Sequence, residues 1–397
     1  MAGLRIAIVA GETSGDALGA ALIGALRKQV AALEVIGVAG AAMRAAGCEA
    51  LADAHELAVM GLIDPLLQLP RLLRLRRRLI ERIAAWKPDV FIGVDAPAFN
   101  LSLAGRFKSL GIATVQYVSP QVWAWRPGRV RTIARRCDLV LCLLPFEPEF
   151  YRHHAVRAVF VGHPLADQIP LQPDRAGARR ELGLEPQQPV LALLPGSRVG
   201  EVERLAGPFL AAACELVRRR PQLQLVAPMA NGLAAASFER LRARMPQAAQ
   251  LPLRVIDGDA QCALTAADAA LVASGTASLE ALLCRCPMAV AYRGGALTVA
   301  VVRALHLVRL PNFSLPNLLA GRVLVPEFFQ EQVTANNLCD AIEQALDDPT
   351  RREYLQREFL KVHESLRAGG AVSAASAVLQ LLRDIGSKHG GAGYWPN

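Results

Sequence analysis

Ser274-Gly-Thr-Ala-Ser-Leu-Glu280 follows a short apolar run, Ala269 to Ala273. The run reads as a buried strand, and a helix-compatible stretch, Ala277 to Cys284, takes over at once. Small residues at such a turn let a ligand approach the backbone. The first amides of the new helix lack intrahelical partners and stand at the positive end of its dipole, so Ser274, Gly275 and Thr276 suit an anion. Glu280 lies one turn further on, where a carboxylate can accept hydrogen bonds from ribose hydroxyls. A second apolar run, Pro189 to Leu194, ends in Pro195-Gly-Ser-Arg198, with Glu201 and Glu203 opening the helical stretch behind it. There Gly196 and Ser197 form the turn, and Arg198 brings a planar fork that fits phosphate oxygens. Each segment alone also describes an ordinary capped helix beside a turn. Two anion-suited loops in one half of the chain, one of them carrying arginine, point to a nucleotide-linked substrate.

These loops need strands to carry them. In the first half, Leu4–Ala10, Val35–Val38, Val90–Val94, Ala113–Val118 and Leu139–Leu143 are the clearest. In the second half they are Pro189–Leu194, Leu223–Ala227, Arg254–Ile256, Ala269–Val272 and Met288–Ala291. Short apolar runs alternating with helical stretches predict an α/β fold of doubly wound parallel sheets, which bind ligands beyond the carboxyl ends of their strands. A chain of 397 residues accommodates two such domains, and 53% hydrophobic residues exclude disorder. Aromatics supply only 5%, so the core must be built from Ala, Leu and Val. The boundary falls in Pro164–Asp174, where prolines 164, 170 and 173 cluster.

The formal charge of +9 calls for an acidic partner. Eight cysteines show no CxxC pair and no histidine ladder, so reduced thiols and no zinc site are expected. Met1 runs straight into a strand, which predicts no signal peptide. No run reaches the roughly 18 uninterrupted apolar residues of a spanning helix.

Seven motifs in order give the chain a family resemblance. They are Gly11-Glu-Thr-Ser-Gly-Asp16, Val94-Asp-Ala-Pro-Ala-Phe-Asn100, Ser119-Pro-Gln-Val-Trp-Ala-Trp125, Val161-Gly-His-Pro164, Leu194-Pro-Gly-Ser-Arg198, Ser274-Gly-Thr-Ala-Ser-Leu-Glu280 and Leu315-Pro-Asn-Leu-Leu319. The chain resembles the lipid-A-disaccharide synthases, inverting glycosyltransferases of bacterial outer-membrane lipid synthesis. Only the tail after about Asp384 lies outside the match. The resemblance implies a B-type glycosyltransferase fold, with two Rossmann-like domains facing a cleft. Residues 1–168 would form the acceptor and lipid domain and residues 169–349 the UDP-sugar domain. A last helix within about 350–385 would cross back to the first domain, leaving a disordered tail at 386–397.

The reaction so implied joins UDP-2,3-diacylglucosamine to 2,3-diacylglucosamine 1-phosphate (lipid X). It yields the β(1→6) disaccharide 1-phosphate and UDP. A hydroxyl nucleophile needs a base, and Asp95, at the end of the Val90–Val94 strand, is the first candidate. Glu12 is the reserve. Ser14, Gly15 and Asp16 follow the first strand, where amides can hold an acceptor phosphate or side chains can orient sugar hydroxyls; helix capping by Ser14 or Asp16 is the structural alternative. Gln121 and Trp123 line the acceptor side in this reading, with core packing the alternative for the tryptophan. Asn317 and Gln330 fall on the nucleotide side. Arg198 and the helix start at Gly275–Thr276 supply positive potential to the leaving diphosphate, so no cofactor or metal is expected. Asp257-Gly-Asp259 has the form of a metal-binding DxD but reads here as a turn.

Leu62 to Trp86 combines leucines with arginines, and residues 71–82 hold six arginines against one glutamate. Leu72, Leu75, Leu79 and Ile83 share one helical face, and Leu69 belongs to the apolar stretch upstream. A basic amphipathic helix of this kind, with Arg76 among its cations, can lie on an anionic membrane and reach acylated substrates. The enzyme is then expected in the cytoplasm, peripheral to the inner membrane. A helix packed on the sheet with its arginines in water is the alternative. The longest basic run is interleaved with leucine rather than aromatics, which disfavours nucleic acid as partner. A UDP-N-acetylglucosamine 2-epimerase of the same fold is the alternative function. No heptad seam or disulfide argues for a homodimer, which the sequence leaves open.

Overall fold

The computed structural model describes residues 3–58, 65–122, 127–295 and 312–388. The chain divides into two compact units, Met1–Pro164 with Leu366–Asn397 and Leu165–Ser365. The first contains strands β1 (Leu4–Ala10), β2 (Leu33–Ala39), β3 (Glu49–Asp53), β4 (Val90–Val94), β5 (Ala113–Tyr117), β6 (Leu139–Cys142) and β7 (Ala158–Phe160). They form one parallel sheet in the order β3-β2-β1-β4-β5-β6-β7. The second contains β8 (Val190–Leu194), β9 (Gln224–Met229), β10 (Leu253–Asp257), β11 (Ala269–Ala273), β12 (Met288–Tyr292) and β13 (Glu327–Phe329). These also run parallel, in the order β10-β9-β8-β11-β12-β13.

The central strands are largely apolar because helices cover both faces. Along β1, Leu4, Ile6, Ile8 and Ala10 enter one core while Ala7 and Val9 enter the other, the period-two alternation of a strand with no wet face. The edge strands β3, β7 and β13 are only partly buried. They are short, at three to five residues, which is why the sequence marks them poorly.

An aspartate sets the register where each of three strands begins. Asp89, before β4, donates its amide to Arg5 O and accepts Arg5 N at 2.8 Å. Asp138, before β6, does the same with Thr114 of β5. Asp268, before β11, repeats it with Val190 of β8. Each clamp satisfies an amide in the first two residues of a neighbouring strand, and a one-residue slip would break it. The Asp268 carboxylate is further held by Arg175 and by Arg179 at 2.6 Å.

Within the region expected to hold the crossing helix, the helix Gly370–Lys388 belongs to the first unit. It packs on the helix Thr13–Arg27, placing Ala374, Ala375, Val378 and Leu382 in that core. Because this helix runs to Lys388, residues 386–388 are helical; the remainder of the expected tail lies outside the described residues.

The helix Pro65–Trp86 corrects the lipid-facing assignment of its leucines. Leu75, Leu79 and Ile83 are buried in the sheet's core, and Leu72 packs half-buried against it. The core consumes the apolar face, leaving Arg71, Arg74, Arg77, Arg78 and Arg82 exposed, with Leu73 at 48%. The Leu69 side chain lies outside the described residues.

Asp268→Ala should destabilise the second unit by about 3–5 kcal/mol, because Arg179, 8% exposed, would lose its counterion. The guanidinium-chloride unfolding midpoint measures this; a variant as stable as wild type would show that the clamp contributes little.

Candidate active site

In a doubly wound sheet the loops separate where strand order reverses, and that point opens a crevice. In the first unit the reversal lies between β1 and β4, whose last residues, Ala10 and Val94, are register partners. Glu12 and Asp95 therefore leave the sheet side by side. In the second unit it lies between β8 and β11, with Leu194 opposite Val272. The loops carrying Arg198 and Gly275 leave there.

Asp95 and Ala96 both adopt left-handed backbone, at φ 51° and 39°. For non-glycine residues this costs of order 1–3 kcal/mol each and survives only where the surroundings impose it. Two buried amides do so. Asn100 Nδ2 donates to Val9 O, Val94 O and, at 2.8 Å, Asp95 O. Gln116 Nε2 donates to Asp95 O at 3.0 Å and to Val118 O. The Asp95 amide donates to Tyr117 O at 2.8 Å. Gly93 makes room, since a Cβ there would lie 2.6 Å from Asn100 Cβ. Gly11 likewise lets the β1 loop approach the Asp95 turn, since its Cβ would stand 2.9 Å from Ala96 Cβ. The turn is thus fixed from below while the Asp95 carboxyl is half-buried without a side-chain partner among the described residues. Desolvation raises its pKa above the usual aspartate value, opposed by the Ala96 amide.

Glu12 is exposed at the N-cap of Thr13–Arg27, with no capping bond from its side chain. The helix begins at Thr13, so Ser14, Gly15 and Asp16 all sit in its first turn. Asp16 needs a larger correction. Its buried carboxylate accepts Gly40 N at 2.8 Å, Ala42 N at 2.8 Å and Met43 N at 3.2 Å. It caps the next helix, Ala41–Ala45, whose own N-cap glycine has no side chain for the task. An acceptor would have to displace three amides to use it. Gln121 is exposed, while Trp123 lies outside the described residues.

The two loops of the second unit differ. After β8, Glu201 Oε2 already accepts the amides of Ser197 and Arg198, at 3.2 and 3.4 Å. The Pro195–Arg198 loop is therefore not an open amide cradle, which corrects the expectation for Gly196 and Ser197. What it presents is the Arg198 guanidinium, 79% exposed and 3.8 Å from Glu201. After β11 the amides are open. Gly275, at φ 147°, is the N-cap of Thr276–Leu283, has no side-chain cap, and has open space where a Cβ would stand. Gly275 and Thr276 are exposed beside half-buried Ser274. One turn on, Glu280 is half-buried with no hydrogen-bond partner among the described residues, and burial raises its pKa.

Asn317 is corrected as well. Its amide donates to Val325 O and Glu327 Oε1 and accepts Leu324 N and Val325 N, so its capacity is filled inside the protein. Gln330 differs: at φ 53° just beyond β13, it holds a buried Nε2 without a partner among the described residues. Sequence reasoning missed the rings near it, Tyr292 stacked on Phe329 at 5.7 Å with Phe313 edge-on to both. They end strands β12 and β13 or precede a helix, and only the topology brings them together. It also missed Gln116, whose place inside an apolar strand was the available signal. Asp259, in the DxD, caps the helix Ala260–Ala266 by accepting Cys262 N at 3.0 Å.

The family model described as lipid-A-disaccharide synthetase matches residues 6–381. The chain belongs to the lipid-A-disaccharide synthase family. A synthase of Erwinia tasmaniensis is 49% identical over 380 residues, covering 96% of this chain and 99% of that one. One from Xanthomonas campestris is 47% identical, covering 98% and 90%. As a family member the chain is a hexosyltransferase of lipid A biosynthesis. Among solved structures, UDP-GlcNAc 2-epimerase from Neisseria meningitidis has a TM-score of 0.64 at 12% identity, covering 96% of this chain and all of its own. A calicheamicin glycosyltransferase scores 0.58 at 18%, covering 97% and 100%. These likenesses show the B-type glycosyltransferase fold. The epimerase alternative rests on fold alone and is not favoured.

Because the folded Asp95 pKa is raised, the folded state favours the protonated acid. Its ionisation costs stability: the cost grows as pH rises from the unfolded pKa to the folded one and is constant above that. Asp95→Asn, compatible with left-handed backbone, should therefore raise the thermal midpoint at neutral pH. The gap should narrow towards the ordinary aspartate pKa of about 3.9. A gap independent of pH would mean that the carboxylate is not desolvated.

Proposed function

We propose that this synthase transfers 2,3-diacylglucosamine from its UDP ester to the 6-hydroxyl of 2,3-diacylglucosamine 1-phosphate, with inversion. Asp95 takes the hydroxyl proton as O6 bonds to the donor's anomeric carbon. The bond to UDP breaks on the opposite face, and UDP leaves with the electron pair. The observation that carries this reading is the Asp95 carboxyl itself: half-buried, raised in pKa and fixed on a strained turn at the β1/β4 reversal. A raised pKa makes a carboxylate a stronger base. Glu12, on the adjoining loop, is the alternative base. Ser14 and Gly15 belong to the acceptor side.

In the second unit, the open amides at Gly275 and Thr276 and the Arg198 guanidinium stabilise the departing diphosphate. The Glu280 carboxyl, which has no partner among the described residues, accepts ribose hydroxyls, and Gln330 Nε2, likewise without one there, donates to the nucleotide. Asn317 supports this side by holding its loop. The reaction needs no metal in this scheme. Purified protein should release UDP from UDP-2,3-diacylglucosamine in EDTA only when lipid X is present; acceptor-independent release or an absolute need for Mg²⁺ would overturn it. Asp95→Asn should lower kcat by about 10²–10⁴-fold with UDP affinity unchanged. Near-normal turnover would remove Asp95 from the mechanism and direct attention to Glu12.

Acylated substrates reside in membrane, and we place the enzyme at the cytoplasmic surface of the inner membrane. No described helix is long and apolar enough to cross a bilayer. With the leucine face of Pro65–Trp86 buried, attraction rests on its exposed arginines, each contributing about 1 kcal/mol near an anionic surface. Changing Arg76, Arg77 and Arg78 to Ser should release the protein from anionic liposomes, and should do so less at high salt, where the attraction is already screened. Retention equal to wild type at low salt would refute the contact.

A further inference from the structure

Most ion pairs in this chain join arginines to carboxylates. Arg179 meets Asp268, Arg219 meets Glu215 and Glu343, and Arg322 meets Glu358. Four arginines on one face of the first unit depart from this. Arg76 comes from Pro65–Trp86, Arg106 from Pro97–Ser109, and Arg135 and Arg136 from the last turn of Val130–Arg136. They line one cavity of about 610 Å³ with Ile80 and Gly105, and no carboxylate lines it. None of the four has an ion pair or side-chain hydrogen bond among the described residues.

Helix dipoles account for part of this pattern, since Arg106, Arg135 and Arg136 stand in last turns, where a cation is favoured. Arg76 lies inside its helix, away from either end, so the dipole gives it no reason to be there. Gathering four like charges around one concavity is unfavourable until an anion enters. The site is also shaped. Gly105 lets Arg136 lie against its helix, for a Cβ there would stand 3.1 Å from Arg136 Cγ and 3.4 Å from Nε. The Arg136 carbonyl is anchored from the sheet by Thr114 Oγ1 at 3.0 Å. The volume exceeds what a bare phosphate fills and falls in the range of small-ligand pockets. Ile80 adds an apolar surface beside the charges.

We infer that this cavity binds a phosphorylated organic anion, its phosphate held by the guanidinium groups of Arg76, Arg106, Arg135 and Arg136. Arginine forks suit phosphate because two parallel N–H groups reach two oxygens. None of its lining residues belongs to the loops at the β1/β4 and β8/β11 reversals. The ligand is either a lipid headgroup or a soluble phosphate compound, which share this chemistry.

The test is calorimetric titration of the full chain with inorganic pyrophosphate, with UDP saturating the proposed nucleotide site. Arg106→Ser with Arg135→Ser should weaken binding at least about tenfold, the loss expected from removing two charge-assisted contacts. Arg131→Ser with Arg152→Ser removes equal charge outside the cavity and should leave binding unchanged. Thermal midpoints of both variants report whether they fold. Absence of saturable binding to wild type, or equal weakening in both variants, would overturn the proposal. Phosphatidylcholine vesicles with and without phosphatidic acid separate the two sources. Phosphatidic-acid-dependent retention that pyrophosphate displaces and the cavity variant lacks identifies a headgroup. Cavity-dependent pyrophosphate binding with unaltered vesicle retention identifies a soluble compound.

Discussion

A parallel strand covered by helices on both faces has no place for unpaired polar groups along its length. Its amides and carbonyls go to its neighbours, and its side chains go to the two cores. Polar chemistry is thereby displaced to the strand ends. At the amino ends of β4, β6 and β11 it takes the form of the aspartate clamps that set register. At the carboxyl ends of β1, β4, β8 and β11 it takes the form of loops with exposed or half-buried groups. The same constraint thus yields stability at one edge of each sheet and the candidate chemistry at the other.

The carboxylates divide along the same lines. Asp16, Glu201, Asp268 and Glu327 are engaged by several donors within the protein. Their work is to hold a helix start, a loop or a strand. Asp95 and Glu280 are half-buried with little internal support, and desolvation raises both. An unsupported carboxylate costs stability, so its retention calls for a use outside the fold. Around Asp95 the surrounding residues add to that cost by imposing left-handed backbone, which Asn100 and Gln116 offset with buried amide donors. The carboxyl is held in place without being neutralised.

The positive charge is distributed on similar terms. In the second unit many arginines pair with carboxylates or cap carbonyls, as Arg179 does with both Asp268 and Ala266 O. In the first unit the helix Pro65–Trp86 buries Leu75, Leu79 and Ile83 and turns Arg71, Arg74, Arg77, Arg78 and Arg82 outward. The excess charge of the chain therefore gathers on a surface rather than in the core.

The sequence by itself determined the strands β1, β4, β8 and β11, because uninterrupted apolar runs of that length suit strands buried on both faces. It also determined the doubly wound α/β class and, through its ordered motifs, the family. Edge strands β3, β7 and β13 escaped because each is short and only partly buried. Which carboxylates were engaged was decided by tertiary structure alone. Asp16 lies 26 residues from Ala42, whose amide it accepts, and no local pattern records that contact. Asn317 and the Pro195–Arg198 amides look available in sequence and are satisfied in the fold. Leucines at helical spacing are the same in sequence whether they meet a bilayer or a sheet; the Pro65–Trp86 helix meets a sheet. Periodicity reports that a face is apolar, and only packing decides what covers it.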